Sequence, residues 1–169
     1  LVRSRGLGDV YKRQIMSASL LLPPVRDVAE SVIVSAFAEI VDFYSACAGR
    51  RLTMDEAVYT SESRTGSRNR AIAYMLDSFG TLDTSPDAAL DLYYRQCSIR
   101  VTTDDLAVIA ATIANGGLNP RTGRHVFNQE VAQRVLSVMT TCGMYDGAGD
   151  WVTSVGSVSY THLTLPTTP

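Results

Sequence analysis

The chain has 169 residues, of which 46% are hydrophobic and 19% charged, and its formal net charge is −2. This length corresponds to about one domain with enough apolar material for a core. The small net charge lacks the basic excess of proteins that bind nucleic acids or anionic membranes, so we predict neither partner. Cys47, Cys97 and Cys142 have no metal-binding spacing and are predicted to be buried free thiols in a reducing, cytoplasmic compartment.

The two ends of the chain differ from its middle. Residues 1–14, LVRSRGLGDVYKRQ, contain four basic side chains and one acidic one, and residues 157–169, SVSYTHLTLPTTP, are dominated by Ser, Thr and Pro. Both resemble the translated adapter sequence that caps environmental assemblies. We therefore expect residues 15–156 to be the native part, an internal fragment of a longer protein, flanked by two non-native segments.

The first predicted helix runs from Pro24 to a stop at Gly49. It contains a long apolar run, VAESVIVSAFAEIVDFYSACA, interrupted by Glu30, Glu39 and Asp42. A transmembrane helix needs about 20 mostly uncharged residues. The sequence therefore favours a buried amphipathic helix over a membrane span.

Five further helices are predicted from polar caps or first-turn prolines, and most of them end at a glycine. Their start signals are Thr53, Ser67, Ser85-Pro86-Asp87, Thr102 and Asn128. The helix from Ser67 to Phe79 is expected to bury an apolar stripe and to end at a left-handed Gly80. The expected stripe is Ile72, Met75, Leu76 and Phe79. Residues 119–125, NPRTGRH, predict a turn-rich loop, and the short connections predict one compact, mainly helical unit.

Polar residues gather in the stretch SESRTGSRNRAIAYML, residues 61–76. The Glu62 carboxylate can accept hydrogen bonds from an ammonium group, and the Asn69 amide suits a carboxylate or a carboxamide. Free N–H groups at a helix start favour negative charge. These features suit a small zwitterion such as an amino acid, but ordinary helix capping explains the same residues. The two histidines have no neighbouring ligands in sequence, so no metal site is predicted.

Three ordered blocks, SESRTGSRNRAIAYML, DLYYRQCSI and CGMYDGAGDWVTSVG, resemble the serine-dependent glutaminase family. The resemblance covers residues 15–156 and implies the helical lobe of a truncated α/β plus α fold similar to serine β-lactamases. It also implies hydrolysis of L-glutamine to L-glutamate and ammonia through a serine acyl-enzyme. It implies no metal or organic cofactor, and it implies a homo-oligomeric parent, either dimer or tetramer.

Carried over by position, the resemblance implies roles for individual residues. Glu62 would bind the substrate's α-ammonium group, Asn69 its polar end, and Tyr93 its α-carboxylate. Tyr145 would act beside the nucleophilic serine, and Ser61 would line the pocket or cap a helix. Neighbouring residue Tyr94 would only pack. Taken alone, the positions of Tyr93 and Tyr145 favour buried rings with satisfied hydroxyls.

The chain departs from the family at the nucleophile. The family's serine lies in a Ser-x-x-Lys motif whose lysine activates the hydroxyl, but the only lysine here is Lys12 and no such motif occurs. We therefore expect this chain to be inactive. Two alternatives remain: another β-lactamase-like acyl-serine hydrolase, and a non-catalytic helical interaction module.

Overall fold

The structure is a computed structural model that describes residues 12–142. Helices account for 66% of these residues, which form seven helices and one short antiparallel sheet. The helices and strands in chain order are α1 (residues 12–19), α2 (Glu30–Ala48), β1 (Thr53–Met54), α3 (Glu56–Thr65), α4 (Ser67–Ser78), α5 (Pro86–Cys97), β2 (Ile99–Arg100), α6 (Thr103–Ala114) and α7 (Gln129–Cys142). The mainly helical fold class is confirmed.

The residues form two compact units rather than the single unit expected. Among the described residues, unit 1 contains residues 12–42 and 52–100, and unit 2 contains residues 43–51 and 101–142. The division falls within α2. Its last residues belong to unit 2 because the Asn119 side chain donates hydrogen bonds to the carbonyls of Ala46 and Cys47, at 2.9 and 2.8 Å.

In unit 1, α5 is the most buried helix. It begins at the predicted position, with Ser85 as N-cap and Pro86 in the first turn. Its neighbour α4 buries Asn69, Ala73 and Leu76, one face at helical spacing. Leu76 was predicted to be buried, but Met75 and Phe79 are 51% and 74% exposed. The apolar stripe was misplaced because small Ala73 and polar Asn69 form the packed face, and hydrophobicity does not identify them.

Three predicted helix starts differ from the structure. Ser67 was predicted to cap α4, but it is the first residue of that helix, and Gly66 occupies the cap position. The helix α2 begins at Glu30, not at Pro24, because hydrogen bonds hold the intervening segment in an irregular path. The Thr84 hydroxyl donates to the Val25 carbonyl at 3.3 Å, and Arg26 forms an ion pair with Asp77.

Thr53 is also not a cap. It pairs with Arg100 between β1 and β2, and the Asp55 carboxylate caps α3 by accepting from the N–H groups of Ala57 and Val58 at 3.0 and 3.1 Å. Two further signals were placed correctly: Gly80 has a left-handed φ of +66°, and Asn128 caps α7 with its side-chain oxygen 2.9 Å from the Val131 nitrogen.

Unit 2 is organised around buried polar side chains. Thr102 and Asp105 form a capping box at the start of α6, and Arg50 donates to the Asp105 carboxylate from Nε at 2.6 Å. The loop predicted at residues 119–125 is closed by an antiparallel bridge between Leu118 and His125. Asn119 is fully buried within this loop.

Among the described helices, α2 alone has the length and composition of a membrane span, and a third of its apolar window is buried. Core helices of soluble proteins have the same properties. The helix α2 was predicted to be buried, and in the structure only part of it is buried. In unit 1, Ile33, Ala36 and Ile40 are buried, whereas Val32 and Val34 are partly exposed.

Candidate functional site

Three of the predicted substrate-binding residues lie on three helices of unit 1 that pack together. Glu62 lies in the last turn of α3, and Asn69 lies in the first turn of α4. The two helices are separated by Gly66 alone, so residues 61–65 are helical rather than a solvated loop. Both Tyr93 and Tyr94 lie on α5, which packs against α3 and α4.

Tyr94 contacts the junction between α3 and α4 directly. Its side chain is 3% exposed, and its hydroxyl donates to the Gly66 carbonyl at 3.1 Å. Burial raises the pKa of the Tyr94 hydroxyl, and the charge of Glu62 raises it further. The Arg70 cation and a hydrogen bond from the Asn69 side chain oppose this shift. Tyr94 therefore lies next to both predicted ligands of the substrate's polar groups.

Tyr93 lies beside Tyr94, and their ring centroids are 5.6 Å apart. The Tyr93 hydroxyl donates weakly to Gln14 Oε1 at 3.4 Å. Partial desolvation raises the pKa of the Cys97 thiol, a hydrogen bond with Tyr93 lowers it, and the charge of Glu62 raises it. The Glu62 carboxylate is thus close enough to influence groups next to both tyrosines.

Arg70 stabilises the end of α3 from the neighbouring helix. Its guanidinium donates to the carbonyls of Ser63 and Arg64, at 2.7 and 3.1 Å. These carbonyls have no partner within their own helix, and a cation there also complements the helix dipole. Arg70 thereby restrains the backbone next to Glu62.

The structure places the other sequence candidates less centrally. Ser61 is exposed on α3, and its carbonyl accepts from the Thr65 hydroxyl at 2.8 Å. Tyr145 lies outside the described residues. Cys47 is buried as expected, but Cys97 is exposed, which corrects its predicted burial.

Sequence reasoning missed Tyr94 and Arg70 as organising residues. Their partners are backbone carbonyls, which carry no signal in the amino-acid pattern.

Known proteins similar in sequence belong to the family that the three sequence blocks indicated. The sequence profile of the glutaminase family matches residues 15–159. Glutaminase 2 of Bradyrhizobium diazoefficiens is 53% identical over 121 residues, which cover 72% of this chain and 19% of that protein. The chain therefore belongs to the glutaminase family.

Solved structures support the same assignment. The crystal structure of Mglu in its native form matches with a TM-score of 0.76 and 38% identity over 86% of this chain and 34% of that one. The covalent complex of Bacillus subtilis glutaminase YbgJ with 5-oxo-L-norleucine matches with a TM-score of 0.71 and 30% identity, over 85% and 47% of the two chains. The chain thus spans less than half the length of these relatives, and its mainly helical fold matches part of a β-lactamase-like glutaminase.

Proposed function

We propose that the complete protein containing this segment hydrolyses the side-chain amide of L-glutamine to L-glutamate and ammonia. In this reaction a serine hydroxyl attacks the amide carbon, ammonia leaves, and water hydrolyses the resulting glutamyl ester. Family membership supports the reaction. The covalent adduct of the B. subtilis relative, formed with 6-diazo-5-oxo-L-norleucine, supports a nucleophilic mechanism.

The observation that supports this proposal is that Glu62 and Asn69 lie on either side of the junction between α3 and α4, and that α5, which carries Tyr93, packs against both helices. Glu62 would accept hydrogen bonds from the α-ammonium group, a charge-assisted contact. Asn69 would bind beside it, and the Tyr93 hydroxyl would donate to the α-carboxylate. Tyr145 would act beside the serine, and Ser61 would line the pocket or cap a helix.

The 169-residue chain is proposed to be inactive by itself. It contains the proposed substrate-binding residues but no Ser-x-x-Lys motif, and therefore lacks that motif's nucleophile and base for acyl transfer. We also propose that the complete protein is a cytoplasmic homo-oligomer.

A chimera tests the proposed reaction. Residues of this chain would replace the matching stretch of the Bradyrhizobium glutaminase 2, the host that is 53% identical. We expect the chimera to release ammonia from L-glutamine and the isolated chain to release none above a blank. Glutamine turnover by the isolated chain would refute its inactivity, and a folded chimera without turnover would count against the proposed reaction.

Glu62→Gln tests the assignment of the ammonium ligand in the same chimera. Hydrogen bonds to charged groups contribute about 1.5–3 kcal/mol, so kcat/KM should fall about tenfold to a hundredfold. Glu56→Gln is the matched control, because Glu56 is exposed in the first turn of the same helix. Equal effects of the two substitutions would contradict the role of Glu62.

A further inference from the structure

Unit 2 contains a cavity of about 510 Å³, lined by the end of α2, the three residues that follow it and residues 122–126. Pockets of roughly 300–1,000 Å³ hold small organic molecules, so this volume exceeds what a single inorganic ion needs. Of the described residues that line the cavity, none is acidic, and four are basic: Arg50, Arg51, Arg124 and His125. The cavity therefore suits an anion that carries an organic group.

Asn119 fixes the two walls of this cavity to each other. Its amide donates to the carbonyls of Ala46 and Cys47 in α2, and its side-chain oxygen accepts from two N–H groups of its own loop, at 2.8 and 2.9 Å. The Asn119 backbone N–H donates to the Arg124 carbonyl at 2.9 Å. These bonds satisfy carbonyls at the end of α2 that would otherwise repel an anion. The pocket is thus formed before a ligand binds, which lowers the entropy cost of binding.

Arg50 presents a guanidinium group whose orientation is fixed. Its Nε and Nη2 atoms donate to the buried Asp105 carboxylate, and its Nη1 atom donates to the Arg51 carbonyl at 3.1 Å. These bonds use three of the five N–H groups of an arginine. Within residues 12–142, one N–H group on each terminal nitrogen has no acceptor. Because the Arg50 side chain is 44% exposed, these two groups can donate to the oxygen atoms of an anion.

Arg124 supplies a positive charge that the described part of unit 2 does not neutralise. This part contains three carboxylates, and each forms an ion pair with a different arginine. The pairs are Asp104–Arg121, Asp105–Arg50 and Glu130–Arg134. Arg124 is exposed and belongs to none of these pairs. Arg50 therefore contributes oriented donors to the cavity, and Arg124 contributes net charge.

Phe43 adds an aromatic surface to the same cavity. Its ring packs against the rings of Phe127 and Tyr44, with centroid distances of 5.9 and 6.1 Å. Phe43 nevertheless remains 47% exposed. A ring that is held in place by two others can stack with an aromatic group of a ligand at little further cost in entropy.

We propose that this cavity binds a phosphate monoester that carries an aromatic group, which is the chemistry of a mononucleotide. A phosphate monoester has nearly two negative charges and three acceptor oxygens. These match the two donors of Arg50 and the charge of Arg124, while the aromatic group stacks on Phe43. The inference does not depend on the proposed glutaminase reaction, because its residues all lie in unit 2 and its test measures binding.

Isothermal titration calorimetry on the full 169-residue chain tests the two parts of the ligand separately. The probes are AMP, ribose 5-phosphate, which lacks the aromatic group, and adenosine, which lacks the phosphate. We expect AMP to bind about tenfold or more tightly than either of the other two. Ribose 5-phosphate binding as tightly as AMP would overturn the role of the aromatic group, and adenosine doing so would overturn the role of the phosphate. Absence of AMP binding at about 1 mM would overturn the whole proposal.

Two substitutions at the cavity locate the binding site. Arg124→Gln should weaken AMP binding about tenfold and leave adenosine binding unchanged. Arg134→Gln is the matched control, because it makes the same change in charge at an exposed arginine of α7 outside the cavity. Equal losses of AMP affinity in these two variants would show a general charge effect and overturn the proposal. Phe43→Leu should weaken AMP binding about fivefold but not ribose 5-phosphate binding, and equal losses for both ligands would contradict stacking on Phe43.

Discussion

Substituting Gly66 by alanine separates the effect of packing from the effect of backbone conformation. Gly66 has a φ of −72°, which alanine adopts readily. Considered for its backbone alone, Gly66→Ala should stabilise the folded chain by about 0.4–1 kcal/mol, because it reduces the entropy of the unfolded state.

The contacts predict the opposite sign. The new Cβ would lie 2.2 Å from the Tyr94 oxygen and 2.7 Å from its ring carbon Cζ, below the 3.0 Å limit that real Cβ atoms respect. Moving Tyr94 away would lose its hydrogen bond to the Gly66 carbonyl, about 1 kcal/mol, and overpacking costs about 1–3 kcal/mol. After the backbone gain is subtracted, we expect a loss of about 2 kcal/mol in the free energy of unfolding.

Urea unfolding followed by far-ultraviolet circular dichroism measures this loss. Gly80→Ala is the control, since Gly80 has a φ of +66° and no atom lies within 4 Å of the position that an alanine Cβ would take there. Its cost should be about 1 kcal/mol and purely conformational. A Gly66→Ala chain that is as stable as the wild type, or more stable, would refute the close packing of Tyr94 on Gly66.

Two further predictions concern unit 2. Asn119→Asp should lower the free energy of unfolding, measured in urea, by about 3 kcal/mol, since it loses the two hydrogen bonds donated to α2 and places a charge against their carbonyls. Asn115→Asp, at an exposed position, should cost well under half as much. Similar costs for the two substitutions would contradict the role of the Asn119 hydrogen bonds. Hydrogen bonds from Arg50, and from the backbone at residue 102, lower the pKa of Asp105 below its ordinary value of 3.8. Its stabilising contribution is therefore complete above about pH 4 and is lost as pH falls below that value. Unfolding midpoints measured from pH 6 to pH 2 should fall less steeply in Asp105→Asn than in the wild type. Asp104→Asn, which alters an exposed ion pair, should retain the wild-type slope. Identical slopes in all three proteins would contradict the stabilising role of the Asp105 carboxylate.

The amino-acid pattern predicted most of the later helix starts. Capping side chains accept from neighbouring backbone N–H groups, and a first-turn proline fixes its own φ at a helical value, so these signals are contained within four or five residues. The starts of α5, α6 and α7 at Ser85, Thr102 and Asn128 were correct for this reason. The start of α2 was misplaced because hydrogen bonds to residue 84 hold the segment before it, and no short-range pattern contains that information.

The family assignment and the candidate residues Glu62, Asn69 and Tyr93 came from the sequence, because ordered blocks of polar and apolar residues identify a family without any knowledge of distances. The sequence alone could not show that Asn69 is buried on the packed face of α4 or that Phe79 is exposed. Hydrophobicity suggested the reverse for Phe79, and contacts with neighbouring helices decided the outcome.

The sequence by itself determined the mainly helical composition, the caps of α6 and α7 and membership of the glutaminase family. Only the tertiary structure decided that the Tyr94 hydroxyl reaches the Gly66 carbonyl and that Arg70 binds the end of α3. The physical reason is that helix formation depends on residues a few positions apart. The partner of a buried polar side chain, in contrast, is chosen by the packing of helices far apart in the chain, and every backbone carbonyl looks alike in the sequence.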